Sequence, residues 1–272
     1  MTTFLFWNLN RKPLEAVVSR LARRHEVDVV MLVESVTSPA VLLTSLNPPA
    51  TGDYHYVPQL GCSKVELLTR FPASFIPPVF ETDRLTIRHL QLPGQVDILL
   101  AINHFPSKLH WDDASQAAES SQLAFDIRAT EHRVGLTRTV VVGDLNMNPF
   151  EDGVVQANGL HAVMSRQVAA LGSRTVQERE YPFFYNPMWS LFGDATAGPP
   201  GTYFYRGGAQ HRVFFWNMFD QVLVRPSLLD RFQTQDVQIL DTDGEILFLS
   251  QQGVPNRNIV SDHLPILFKL SL

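Results

Sequence analysis

The sequence predicts an α/β sandwich, two sheets packed face to face with helices outside. Three observations carry that prediction. Apolar strand-like runs dominate the chain, several follow one another at hairpin spacing, and helical crossovers fall at only two places. A doubly wound single sheet would alternate strand and helix throughout, and this chain does not.

Phe4 to Trp7 is a short aromatic run that reads as a buried strand ending at Asn8. Pro13 suits a first helical turn, Leu14, Val17, Val18 and Leu21 recur at helical spacing, and Arg20, Arg23 and Arg24 load the last turn. Val27 to Val33 is a β-branched strand stopping at Glu34. Leu67 to Phe71 reads as a strand closed by Pro72. Leu85–Leu90 and Val96–Ile102 are two more strands, separated by a Pro93-Gly94 turn, and the second runs into Asn103-His104. Asp113 to Arg133 reads as a long helix. Thr139–Val142 is a strand entering Gly143-Asp144-Leu145-Asn146, and Val163–Leu171 is read as a further helix. Phe214–Val224, interrupted at Asn217, and Leu264–Leu270 are the last strands. Arg174 to Gly201 is rich in aromatics and turn formers without a period, and is expected to be a long functional loop.

Composition narrows the class. Hydrophobic residues are 45% and charged residues 18%, below the roughly 25% of an average domain, which excludes a disordered or coiled-coil chain. No linker, repeat or change of composition divides residues 1–272, so one domain is expected, with an insertion around 173–212. The net charge of −5 argues against global steering towards nucleic acid but leaves local patches open. The single cysteine, Cys62, forbids an internal disulfide and suits a reducing compartment. The start has no basic region and no apolar run approaches the roughly 20 residues that span a bilayer. A cytoplasmic location with no membrane span is the expectation.

The chemistry sits at strand ends. Asn8 follows Phe4–Trp7, Glu34 follows Val27–Val33, and His104 follows Val96–Ile102. Asp144 and Asn146 follow Thr139–Val142, and Asp262-His263 precede Leu264–Leu270. Strand ends sharing one edge of a sandwich bring such groups together across long sequence distances. Carboxylates plus an amide, without cysteine, are an oxygen-donor set that suits Mg²⁺ or Mn²⁺ better than Zn²⁺. Nearby histidines supply proton transfer. Taken singly, Gly143 to Asn146 reads as a turn and each histidine as structural; it is the joint order that is specific. Asp220 is a lone charge inside the apolar run Val213–Val224, where burial without a partner is costly. An imidazole partner would offset that cost and raise the histidine pKa.

Asn8, Glu34, Asn103-His104, Gly143-Asp144-Leu145-Asn146, Phe219-Asp220-Gln221-Val222 and Ser261-Asp262-His263 together resemble the endonuclease/exonuclease/phosphatase superfamily. Gly61 to Pro72 also resembles that family's internal strand ending in Ser/Thr-Arg-Phe-Pro. The resemblance runs from Phe4 to Leu270. It implies a DNase I-like, four-layered α/β sandwich of two mainly antiparallel sheets flanked by helices, acting as a Mg²⁺-dependent phosphoester hydrolase. It also implies roles. Glu34 would be the main metal carboxylate, with Asn8 and Asp262 close to the ion, while Asp144 orients water and Asn146 holds a phosphate oxygen. His263, partnered by Asp220, would act as base or phosphate contact, and His104 would assist the leaving group. Three positions depart from the family: Val33 stands where many relatives have Gln, Asn10 where some nucleases have an acid, and Met218-Phe219 precede Asp220 where Arg is frequent. The last two put substrate identity in doubt.

Substrate choice is expected in the loops. Arg174, Tyr185, Trp189, Tyr203 and Arg206 are the candidate substrate contacts, because arginine with interleaved aromatics clamps phosphates and stacks bases. Packing of these aromatics into a satellite core is the competing reading. The expected activity is a nuclease on DNA, or RNA, with Mn²⁺ as a substitute ion. The alternatives are a phosphatase of inositol phosphates or another small phosphoester, and a catalytically silent binding module.

Overall fold

The computed structural model describes residues 1–48, 53–109, 111–194, 198–208 and 211–272. Its strands begin with β1 (Thr2–Asn8), β2 (Val29–Val33), β3 (His55–Val57) and β4 (Val65–Thr69). Next come β5 (Pro78–Thr82), β6 (Leu85–Leu90), β7 (Ile98–His104), β8 (Thr139–Asp144) and β9 (Ala162–Val163). After these lie β10 (Ser173–Val176), β11 (Arg179–Pro182), β12 (Phe184–Tyr185), β13 (Tyr203–Phe204) and β14 (Trp216–Asn217). The last are β15 (Asp220–Val224), β16 (Gln238–Ile239) and β17 (Ile266–Leu270). The helices are α1 (Glu15–Arg24), α2 (Pro39–Leu46), α3 (Asp113–Val134), α4 (Asp152–Val155) and α5 (Arg166–Ala169).

One sheet has six strands in the order β16-β17-β1-β2-β4-β3, and the other seven in the order β5-β6-β7-β8-β15-β12-β9. Antiparallel pairs predominate, but β1–β2, β7–β8 and β9–β12 are parallel, so both sheets are mixed. Phe4 to Trp7 and Val29 to Val33 are wholly buried, which is why those strands read as continuous apolar runs rather than as alternation. Alternation in β8 and β15 separates two cores. Val140, Val142, Val222 and Val224 face the six-stranded sheet beside Phe4, Phe6 and Met31. Val141 and Leu223 face outwards under Leu123 and Ile127 of α3. Helix α1 lays Val17, Val18 and Leu21 on the six-stranded sheet. The layers are therefore helix, sheet, sheet, helix. Helix α3 starts where Asp112 accepts a hydrogen bond from the Ser115 amide and stops at Gly135 in the left-handed conformation.

The strand expected over Phe214–Val224 splits into β14 and β15, in different sheets, with the break at Met218–Phe219 and not at Asn217, and two further expected elements come out differently. The helix expected over Val163–Leu171 shrinks to Arg166–Ala169, because Ala162 and Val163 are taken by pairing with β12 and Ser165 caps the short helix. The loop expected over Arg174–Gly201 contains the β10–β11 hairpin and strand β12 (residues 195–197 lie outside the described residues). The hairpin turns at Gln177 and Glu178, both with positive φ, without the glycine or asparagine that would announce it. Phe184 and Tyr185 are core residues.

Topology then builds one functional edge. Strands β1 and β2 run parallel and end together at Asn8 and Glu34, while antiparallel β17 starts there, after Asp262-His263. Across the sandwich, parallel β7 and β8 end with His104 opposite Asp144, and antiparallel β15 begins with Asp220 opposite the same Asp144. Among the described residues, no helix is long and apolar enough to cross a membrane.

Candidate active site

Asp144 is the centre of the cluster and is 1% exposed. Its Oδ2 accepts a hydrogen bond from the Asn8 side-chain amide at 3.0 Å, and its Oδ1 accepts from the Asn146 backbone N–H at 2.9 Å. The Nε2 atoms of His104 and His263 lie 3.9 and 4.0 Å from Oδ2. Gly143 is required at this point, because a Cβ would sit 2.1 Å from the Asn103 carbonyl oxygen on the adjacent strand. Burial, and then the neighbouring Asp220 carboxylate, push the Asp144 pKa up, against the opposing pull of His263 and His104.

His263 Nδ1 meets Asp220 Oδ2 at 2.7 Å in a buried contact, which supplies the partner that Asp220's burial demanded. Burial alone would lower the imidazole pKa, but the Asp220 and Asp144 carboxylates more than offset it and raise it to about 10. A raised folded value gives this contact its full stabilising effect below the ordinary histidine pKa, lost as pH climbs through about 10. His263 is therefore expected to remain doubly protonated at pH 8 in an imidazole-resolved ¹⁵N NMR titration. Asp220→Asn is expected to return it towards the ordinary value; an unchanged titration in that variant would refute the Asp220 carboxylate as the cause.

Glu34 reaches the cluster from the opposite sheet. Its Oε1 lies 3.3 Å from His104 Nε2, so Glu34 and Asp144 both stand within 4 Å of one nitrogen. The hydrogen bond from His104 holds the Glu34 carboxyl below the usual range, against the effect of its burial. Glu34 and Asn146 both occupy left-handed backbone, at φ 51° and 49°. Strained positions of this kind persist where the surroundings over-determine them, and they cluster at functional sites. Asn146 donates one amide hydrogen to the Phe105 carbonyl at 3.0 Å. Asp262 Oδ1 is buried without a hydrogen-bond partner, an oxygen in want of a cation or donor. Asn8 turns its NH₂ towards Asp144, and its amide oxygen accepts from the Asn10 N–H, so it braces the carboxylates.

Ligand-capable atoms of Asp144, Asp220 and His263 lie within 4.8 Å of one another and form a buried group able to hold a metal. The His263–Asp220 hydrogen bond already uses two of those three. Glu34, with 28% of its side chain exposed, is the carboxylate that opens towards solvent. The donors on this side are oxygens, and they fit a hard divalent ion.

A sequence profile of the Endonuclease/Exonuclease/phosphatase family matches residues 5–263. The chain belongs to that family. It is therefore a hydrolytic phosphoesterase of a family that is generally dependent on divalent metal. No curated protein sequence matches it. Solved structures share its DNase I-like fold at low identity. An endonuclease/exonuclease/phosphatase family protein from Leptotrichia buccalis has a TM-score of 0.58 at 14% identity, covering 100% of both chains. An AP endonuclease from Archaeoglobus fulgidus gives 0.55 at 14%, again covering 100% of both. Truncated TDP2 from Caenorhabditis elegans gives 0.59 at 14%, with 100% of this chain and 98% of that one covered.

Of the expected substrate contacts of this phosphoesterase, Tyr203 joins the cluster. Its ring packs 4.7 Å from that of His263, and burial together with the Asp262 and Asp144 carboxylates raises its pKa to about 12. Arg206 is exposed, three residues beyond Tyr203. Trp189 packs 6.3 Å from Phe150. Tyr185 and Arg174 do not join the site. Tyr185 pairs with Val224, at the end of β15 opposite Asp220, and its buried ring carries a hydroxyl that meets the half-buried Thr234. Arg174 lies in the β10–β11 hairpin, whose Pro182 carbonyl is held by Arg225 at that same far end. Residues 209–210 of the expected insertion lie outside the described residues.

Sequence reasoning missed the groups that hold the cluster in place. Trp7 Nε1 donates to the His263 carbonyl at 2.8 Å, and Ser261 Oγ donates to the Asn8 carbonyl at 2.6 Å. Asn148 accepts from the Met218 N–H at 2.9 Å and donates to Asn217, and Glu151 binds both Asn148 and Lys108. Three loops are thereby tied together.

Proposed function

We propose that the chain is a divalent-metal-dependent phosphodiesterase acting on nucleic acid, cutting the diester by attack of water on phosphorus. The observation that carries the reading is the buried Asp144 carboxylate with both His104 and His263 within 4.0 Å and Glu34 facing it across the same imidazole. Glu34 and Asp262, braced by Asn8, would hold Mg²⁺, with Mn²⁺ as a substitute. When bound, such an ion supplies Lewis-acid charge to a non-bridging phosphate oxygen.

The remaining chemistry belongs to the side chains. Asp144 orients the attacking water and accepts its proton, a task that its raised pKa favours. His263, held cationic by Asp220, donates from Nε2 to a phosphate oxygen, so charge developing in the transition state meets a preorganised donor. The second amide hydrogen of Asn146 serves another oxygen. His104 stabilises the leaving oxygen or protonates it. Tyr203 and Arg206 contact the substrate, and Trp189 supports that surface from Phe150.

Support for nucleic acid comes from Arg206 and Arg257, both exposed and without an ion-pair partner among the described residues. It comes too from the endonuclease among the proteins that share the fold. The net charge of −5 weighs against tight duplex binding, and so favours ends, nicks or single strands. The test is a panel of supercoiled plasmid, single-stranded DNA, RNA and inositol polyphosphates with Mg²⁺, with Asp144→Ala alongside. Strand cleavage by the unmodified protein alone is expected. Phosphate release from inositol polyphosphates with intact nucleic acid would overturn the substrate assignment.

A further inference from the structure

Beyond His263, the ribbon formed by β13 and β14 carries aromatic rings outwards. Tyr205, Phe214 and Phe215 are 44%, 45% and 51% exposed. A single exposed ring needs no explanation, whereas three on one ribbon stand out: Phe214 rests on Phe150, and the Phe215 ring lies 6.4 Å from that of Phe204. The base of the ribbon is fixed to the site: the Leu264 N–H donates to the Thr202 carbonyl at 2.8 Å, and Tyr203 covers His263. Side chains two apart share a face, so Tyr205 continues outwards the face on which Tyr203 lies.

The tip is held in place. The Tyr205 N–H donates to the Phe215 carbonyl at 2.8 Å, Phe214 meets Phe150 edge-on at 5.1 Å, and Arg212 pairs with Asp113 at 2.7 Å. Phe215 sits at φ 61°, a left-handed conformation costly for a bulky residue, and exposes its ring there. Arg206, next to Tyr205 in the chain, and Arg257, near enough to Tyr203 to act on its hydroxyl, are exposed cations. Rings beside unpaired guanidinium groups match unpaired bases on a phosphate backbone; paired bases in a duplex have no free face to offer.

We infer that the exposed Tyr205 and Phe215 rings of the β13–β14 ribbon are a stacking platform for an unpaired nucleobase adjoining the scissile phosphate. This rests on the nucleic-acid reading above. It implies that the enzyme selects single-stranded or frayed substrate through Tyr205 and Phe215.

Binding measured without turnover tests it. In EDTA, the fluorescence anisotropy of a labelled thymidine ten-mer is compared with that of a tetrahydrofuran abasic ten-mer of equal charge. The full chain is expected to bind the thymidine oligomer about fivefold to a hundredfold more tightly. Tyr205→Ala and Phe215→Ala are each expected to narrow that gap, and Tyr205→Phe to keep it. Equal affinities in the unmodified protein, or a gap indifferent to both ring removals, would overturn the platform. Ring-dependent binding to phosphatidylcholine vesicles, with no preference between the oligomers, would assign the tip to a lipid surface and overturn it too. Cleavage of nucleic acid in the substrate panel without any base dependence of binding would sink the platform alone. Failure of that cleavage would sink the broader reading.

Discussion

Asp144→Asn is expected to lower phosphoester turnover by about three orders of magnitude, within the range of a lost general base, and to leave the fold intact. The amide matches the carboxylate in shape and keeps an oxygen to accept from Asn8 or Asn146, both now bound to Asp144. What it loses is the charge to which the proposed mechanism gives the task of orienting water and taking its proton. The carboxylate is buried against two imidazoles, so no solvent group stands ready to replace it. Steady-state kinetics with a thermal melt on the same sample checks both halves. Retention of more than about a tenth of the activity would contradict the role, because general-base losses are larger. Adding His263→Gln is expected to cost far less than the product of the two single losses, since both groups serve one transition state.

Chelation is expected to have an effect at least as large. EDTA is expected to lower turnover by at least about a thousandfold, in keeping with the several kcal/mol that Lewis-acid stabilisation supplies, and Mg²⁺ or Mn²⁺ to restore it. Glu34→Gln is expected to raise the ion concentration needed for half-maximal activity by about tenfold or more, while His104 and Asp144 stay in place. The effect follows from Glu34 being ionised, through its hydrogen bond from His104, and open to solvent. Undiminished activity in chelator would exclude the ion from the chemistry.

Much of the site was legible because strand ends announce themselves. A run such as Val27–Val33 that stops at an acid gives both the buried strand and the residue at its edge, and Glu34 lies where that pattern puts it. Asp220 was legible for an energetic reason: a lone carboxylate in an apolar strand must find a partner, and it found His263 at 2.7 Å. The stretch 174–201 was not legible. Strand β12 is two residues long, too short for any period to show, and it is held in the sheet by pairing with distant β9 and β15. The β10–β11 turn uses Gln177 and Glu178 where local chemistry would favour glycine. Tyr185 was misread for the same reason, since an aromatic among turn formers looks alike whether it faces a substrate or the core. The braces Trp7, Ser261 and Asn148 work through backbone carbonyls and amides of remote segments, and Glu151 works through Asn148 and the distant Lys108 side chain, which sequence spacing does not reveal.

The most direct measurement is anomalous diffraction from crystals of the protein grown with Mn²⁺. A manganese peak seated on the Glu34 carboxylate, on the Asp262 side and clear of the His263–Asp220 hydrogen bond, is the predicted result. A peak enclosed by Asp144, Asp220 and His263 with that hydrogen bond broken, or none near Glu34 at saturating Mn²⁺, would contradict it.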